Sequence, residues 1–192
     1  MTVTFKKLTP VFAAEVSPLE LKTVFDQPTL DALVAGMDEY RVLVFRNQRF
    51  NDQEQLDFAQ RFGGPLHTKP GIAQLGKNRF DNNAIADIGN VNEEGAIRAA
   101  DDRRRAYSLA NRLWHTDASF QDPPGRYSTL SARVIPPVGA DTEFADMCAA
   151  YDALDESMKK RLEGLHVHHS IAYSRMSLGF EFSQGELDNL KG

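Results

Sequence analysis

Residues 113–120 read Leu-Trp-His-Thr-Asp-Ala-Ser-Phe. An imidazole and a carboxylate, His115 and Asp117, stand two positions apart among the apolar neighbours Leu113, Trp114 and Phe120. On an extended chain successive side chains point to opposite faces, so residues i and i+2 project together, about 7 Å apart at Cα. Read as extended, the stretch lets both side chains chelate one ion. A neutral imidazole with a carboxylate is a hard-to-borderline donor pair suited to Fe(II). Zinc would more often recruit cysteines, and the chain has one, Cys148. The tripeptide alone is weak, because this composition gives about 0.4 His-x-Asp matches by chance. The neighbours strengthen it. Trp114, Phe120 and Leu113 can surround the pair with apolar bulk that excludes water and tunes an ion, although the same residues also suit ordinary core.

Working outward, the chain has 192 residues, 42% of them hydrophobic, which suits the core of one domain of ordinary size. Its net charge of -5 gives no general attraction to phosphate backbones or anionic lipid, so neither nucleic acid nor a membrane is an expected partner. The N-terminus, MTVTFKKLTP, lacks the apolar core of a signal peptide, and no apolar run approaches the roughly 20 residues that cross a bilayer. One cysteine cannot make an internal disulfide. The expectation is a cytoplasmic protein.

Local signals divide the chain further. Pro28 suits the first turn of a helix whose Leu30, Leu33, Val34 and Met37 share one face. Residues 41–46, RVLVFR, read as a buried strand. Asn51 with Glu54 forms a capping-box pattern ahead of Leu56, Ala59 and Phe62, and Gly63-Gly64 ends that helix. From 65 to 110 the text is mostly loop, with AIADI at 84–88 as a short strand and the charged run DDRRR at 101–105 as a solvated loop. Residues 127–135, YSTLSARVI, alternate as a strand should, and Pro136-Pro137 stops them. Gly139 then turns the chain into 142–144. Asp146 and Asp155 suit helix caps, and Gly164 releases the chain into a strand over 166–173, HVHHSIAY. The sum is an α+β domain whose second half is mainly β.

Two histidines and one carboxylate with open positions are the donor set of non-haem iron oxygenases. The blocks NRLWHTDASF at 111–120, RYSTLS at 126–131, PPVGADTEF at 136–144 and DMCAAYDAL at 146–154 resemble the TauD/TfdA family of Fe(II)- and 2-oxoglutarate-dependent dioxygenases. VLVFRNQ at 42–48, FAQRFGGPL at 58–66 and ADIGNV at 86–91 extend the likeness over nearly the whole chain. Within the family, the likeness is greatest to members acting on 2,4-dichlorophenoxyacetate. It implies a double-stranded β-helix, or jelly-roll, core with flanking helices. It also implies Fe(II), 2-oxoglutarate as co-substrate, dioxygen, ascorbate as a reductant, and a homo-oligomer.

Carried over by position, His115 and Asp117 become two iron ligands and Thr142 a ligand of a 2-oxoglutarate carboxylate, while Asn111 lines the substrate pocket. Thr142 also reads as a strand residue satisfied by backbone, and Asn111 as a loop amide. Ala140 replaces a second glycine common in the family, so the turn is expected to differ, since a methyl group restricts positive φ. The family's third ligand, a later histidine followed by an arginine that clamps 2-oxoglutarate, has no counterpart in this sequence. His166 and His168 would share a strand face, but with His169 they read better as structural or partly exposed. The expectation is therefore one incomplete domain over 1–192, lacking its C-terminal strands and inactive alone.

For the whole enzyme the resemblance implies hydroxylation of an aryloxyalkanoate beside its ether oxygen, with collapse to a phenol and formation of succinate and carbon dioxide. The rival readings are a taurine or alkylsulfonate dioxygenase on the same scaffold, and a truncated, non-catalytic jelly-roll remnant that binds a ligand or partner. A metal hydrolase ranks last, for want of a general base and a third ligand.

Overall fold

The computed structural model describes residues 2–23, 26–68, 80 and 82–190. Part of the 65–110 loop expectation, residues 69–79 and 81, lies outside them. The chain forms two compact units, one of Met1–Gly64 with Thr129–His166, the other of Pro65–Ser128 with Val167–Gly192.

The first unit is organised by backbone ladders and one apolar seam. Strand β1 (Thr4–Lys7) pairs antiparallel with β2 (Ala14–Ser17), and β2 pairs parallel with β3 (Leu43–Val44). Helix α1 (Gln27–Tyr40) links β2 to β3, as a parallel connection requires. Asp26 caps it by accepting from the Thr29 backbone N–H, and Pro28 lies in its first turn as the sequence predicts. The Thr29 hydroxyl and backbone N–H both hold the Asp26 carboxyl below its ordinary value. Leu33 and Ala14 are fully buried, with Val16, Leu21, Leu56 and Phe58 close behind. Gly36 is needed where it stands, because a Cβ there would overlap the Phe5 ring. Helix α2 (Asp52–Gln60) opens with the predicted capping box between Asn51 and Glu54. Its Phe58, outside the predicted stripe, packs its ring against Phe45, Phe50 and Phe62. Gly63 and Gly64, both at φ 78, end it.

The remaining strand expectations fail in this unit. RVLVFR contributes only Leu43–Val44 to the sheet. Residues 127–135 and 142–144 form no ladder among the described residues, and a strand without a partner leaves its backbone groups to water. Arg133 ties the 129–135 segment to α2 through Asp52 Oδ1 (3.0 Å) and Gln55 Oε1 (2.9 Å), a polar attachment that leaves Leu130, Val134 and Ile135 exposed. Helices α4 (Met147–Asp152) and α5 (Glu156–Leu162) start at their expected caps, Asp146 and Asp155.

The second unit relies on side chains. DDRRR is not a loop: Asp102 caps helix α3 (Arg103–Ser108) by accepting from the Arg105 N–H. Arg103 Nη2 donates to both oxygens of Glu186, at 2.8 and 3.1 Å. Glu186 is buried in helix α7 (Gln184–Asn189), where it closes a capping box with Ser183. Burial pushes its carboxyl up, but the Ser183 N–H and hydroxyl and the Arg103 charge together hold it below the ordinary 4.5. Tyr107, Phe180 and Phe182 form an edge-to-face cluster, with the guanidinium of Arg103 over Phe180 and that of Arg175 over Tyr107. AIADI is no strand; Ile85 is buried and Ile88 exposed. HVHHSIAY is no strand either, because Ser170 caps helix α6 (Ile171–Met176) by accepting from Tyr173. His166 and His168 therefore share no strand face. No described helix is long and apolar enough to cross a membrane.

Candidate metal centre

His115 and Asp117 converge, although they belong to no strand ladder among the described residues. The segment is not a strand. Residues Leu109–Arg112 form a 3₁₀ turn, Leu113 is extended, and a second turn runs through 117–120. Ala118 in that turn has φ 53, the left-handed region that costs a non-glycine residue about 1–2 kcal/mol. His115 Nε2 lies 3.4 Å from Asp117 Oδ1. His115 Nδ1 lies 2.6 Å from the Leu113 carbonyl, and since a carbonyl only accepts, Nδ1–H donates and Nε2 is the nitrogen presented to the carboxylate.

The pair fits a cation. Two donors each about 2.1 Å from one ion, at right angles around it, are about 3.0 Å apart, close to the separation seen here. A backbone carbonyl fixing the far nitrogen is the usual support for a ligating histidine. Both side chains are about half exposed or more, so an ion can reach them. The apolar shell expected of the neighbours is not closed: Trp114 is 69% exposed, and Leu113 and Phe120 are also exposed. Among the described residues no group of three or more His, Cys, Asp or Glu could hold an ion, so this pair contributes two donors.

Asn111 belongs to the same unit. Its Oδ1 accepts from Arg175 Nη2 at 3.4 Å, which turns its amide N–H groups the other way. The phenol of Tyr107, under that guanidinium, is pushed above its ordinary value by burial, with Arg175 opposing. Thr142 lies in the first unit and is exposed. Before it, Gly139 (φ 74) and Ala140 (φ 60) are both left-handed, so Ala140 adopts positive φ despite its methyl group. Sequence reasoning missed a contact between His169 Nδ1 and Ser119 Oγ, 2.6 Å across 50 positions, for which no local signal exists.

The model of the taurine catabolism dioxygenase TauD, TfdA family matches residues 4–189. The chain belongs to the TauD/TfdA family. Among its curated TauD/TfdA relatives is the alpha-ketoglutarate-dependent 2,4-dichlorophenoxyacetate dioxygenase of Cupriavidus pinatubonensis, 42% identical over 93% of this chain and 62% of that protein. The (S)-phenoxypropionate/alpha-ketoglutarate-dioxygenase of Sphingobium herbicidovorans is 36% identical over 91% of this chain and 55% of that protein. The crystal structure of AAD-2 in complex with Mn(II) and N-oxalylglycine superposes with a TM-score of 0.92 at 39% identity, over all of this chain and 66% of that one. The chain thus spans less than two thirds of the length of these relatives.

Proposed function

We propose that these residues belong to an Fe(II)- and 2-oxoglutarate-dependent dioxygenase that hydroxylates an aryloxyalkanoate such as 2,4-dichlorophenoxyacetate, on a jelly-roll scaffold flanked by helices. The observation that carries the reading is the 3.4 Å approach of His115 Nε2 to Asp117 Oδ1, in a chain whose relatives are named for this chemistry. When bound, ferrous iron and 2-oxoglutarate together supply the activation of dioxygen, with ascorbate as a reductant that restores the ferrous state.

The chain's own residues hold and orient. His115 presents Nε2 because its Nδ1–H is engaged by the Leu113 carbonyl. Asp117 supplies an anionic oxygen that offsets cation charge. The Thr142 hydroxyl donates to a carboxylate of 2-oxoglutarate. Asn111, its carbonyl oxygen committed to Arg175, offers amide N–H groups to the carboxylate of the aryloxyalkanoate.

Succinate release by the full-length protein that carries these residues, followed with phenoxyacetate, phenoxypropionate and taurine in parallel, tests the proposal. Iron-dependent turnover fastest on an aryloxyalkanoate is the expected result. Preference for taurine would replace the substrate, and no succinate with any of them would favour a non-catalytic remnant. Thr142→Ala is expected to raise KM for 2-oxoglutarate about tenfold or more, the worth of a hydrogen bond to a charged group.

A further inference from the structure

The turn that carries Asp117 is held from outside by residues that neither bind the ion nor contact substrate in the reading above. Ala118 keeps a left-handed backbone, and a side chain added at Gly125 would come within 2.9 Å of its Cβ. That close approach confines the turn on one side. On the other, the next residue, Ser119, shares a 2.6 Å hydrogen bond with His169 Nδ1. A strained turn persists only where its surroundings over-determine it. Among the described residues the Asp117 carboxylate is paired with His115, so its position depends on the turn that carries it.

We propose that His169 is a positioning residue for the metal pair: by holding Ser119, its imidazole fixes the 117–120 turn and with it the placement of Asp117 Oδ1 opposite His115 Nε2. The inference rests on the reading that His115 and Asp117 hold the ion. The ring of His169 is exposed, so it adds little packing, and its hydrogen bond is what the site would lose. Atom position matters. The bond uses Nδ1, the nitrogen nearer the main chain, which an asparagine amide can mimic and a glutamine amide cannot.

Mn(II) affinity of the full chain, read from the electron paramagnetic resonance of the free ion, tests this without turnover. His169→Ala and Ser119→Ala are each expected to weaken Mn(II) binding about tenfold, the lower end of the effect of removing groups that orient metal ligands. The double variant should lose no more than either single one, because both remove the same bond. His169→Asn should restore most of the affinity, and His169→Gln should not. Unchanged affinity in His169→Ala while Asp117→Ala loses Mn(II) would overturn the positioning role and leave the metal reading standing. Additive losses in the double variant would also overturn it. If His169→Ala lowers the melting temperature, the asparagine and glutamine variants decide, and equal affinity in those two overturns the proposal. Mn(II) binding as tight in Asp117→Ala as in the parent chain would sink both readings together.

Discussion

Residues 4–62 and residues 129–138 both carry apolar side chains in regular patterns, yet only the first region buries them. Leu33 and Ala14 are at 0% exposure, whereas Val134 is at 90% and Val138 at 88%. The first region has an antiparallel strand, a parallel strand and a capped helix to close over its apolar face. The second is tied down by the guanidinium of Arg133 and presents no ladder among the described residues. Alternation in sequence prepares a face for burial; a partner element makes the burial happen.

That contrast can be broken by mutation. Leu33→Ala should cost about 2–5 kcal/mol in urea denaturation, the range for deleting a fully buried leucine. A cost under about 1 kcal/mol would mean the seam between α1 and the sheet is not the core of its unit. Glu186→Gln probes the second unit, where a buried carboxylate replaces a ladder as the organising contact. Its folded value is depressed, so the stability it contributes is present above its ordinary 4.5 and is lost as pH falls through the lower folded value. The parent should therefore lose stability on acidification more steeply than Glu186→Gln, which starts lower at pH 7; parallel pH profiles would contradict this. Val134→Ala should change stability by no more than about 0.5 kcal/mol, as for an exposed side chain without special contacts. A larger loss would show that this segment buries the residue in solution.

The legible parts are those whose signals are local. Asn51, Asp146 and Asp155 each cap the helix that follows, and a cap is decided by atoms within three residues of it. The run DDRRR reads as a loop because its charge density hides that Asp102 is itself a cap and that Arg103 has a buried partner 83 positions away. HVHHSIAY carries β-branched residues, but Ser170 starts a helix inside it. Strand pairing over 127–135 depends on distant chain, which periodicity cannot report. The site itself is half legible. The His-x-Asp spacing singles out two side chains that do lie together, 3.4 Å apart, but outside any strand, and the left-handed Ala118 that follows them is not visible in the sequence. His169 reaches Ser119 only through the tertiary fold.

A cation shared by His115 and Asp117 is measured most directly by a Mn(II) titration of the full chain beside His115→Ala and Asp117→Ala. The expected result is one Mn(II) per parent chain and affinity lowered about 100-fold or more in each variant, with melting temperatures unchanged, since each removes a donor from an exposed pair. Equal Mn(II) affinity in the parent and both variants would contradict it.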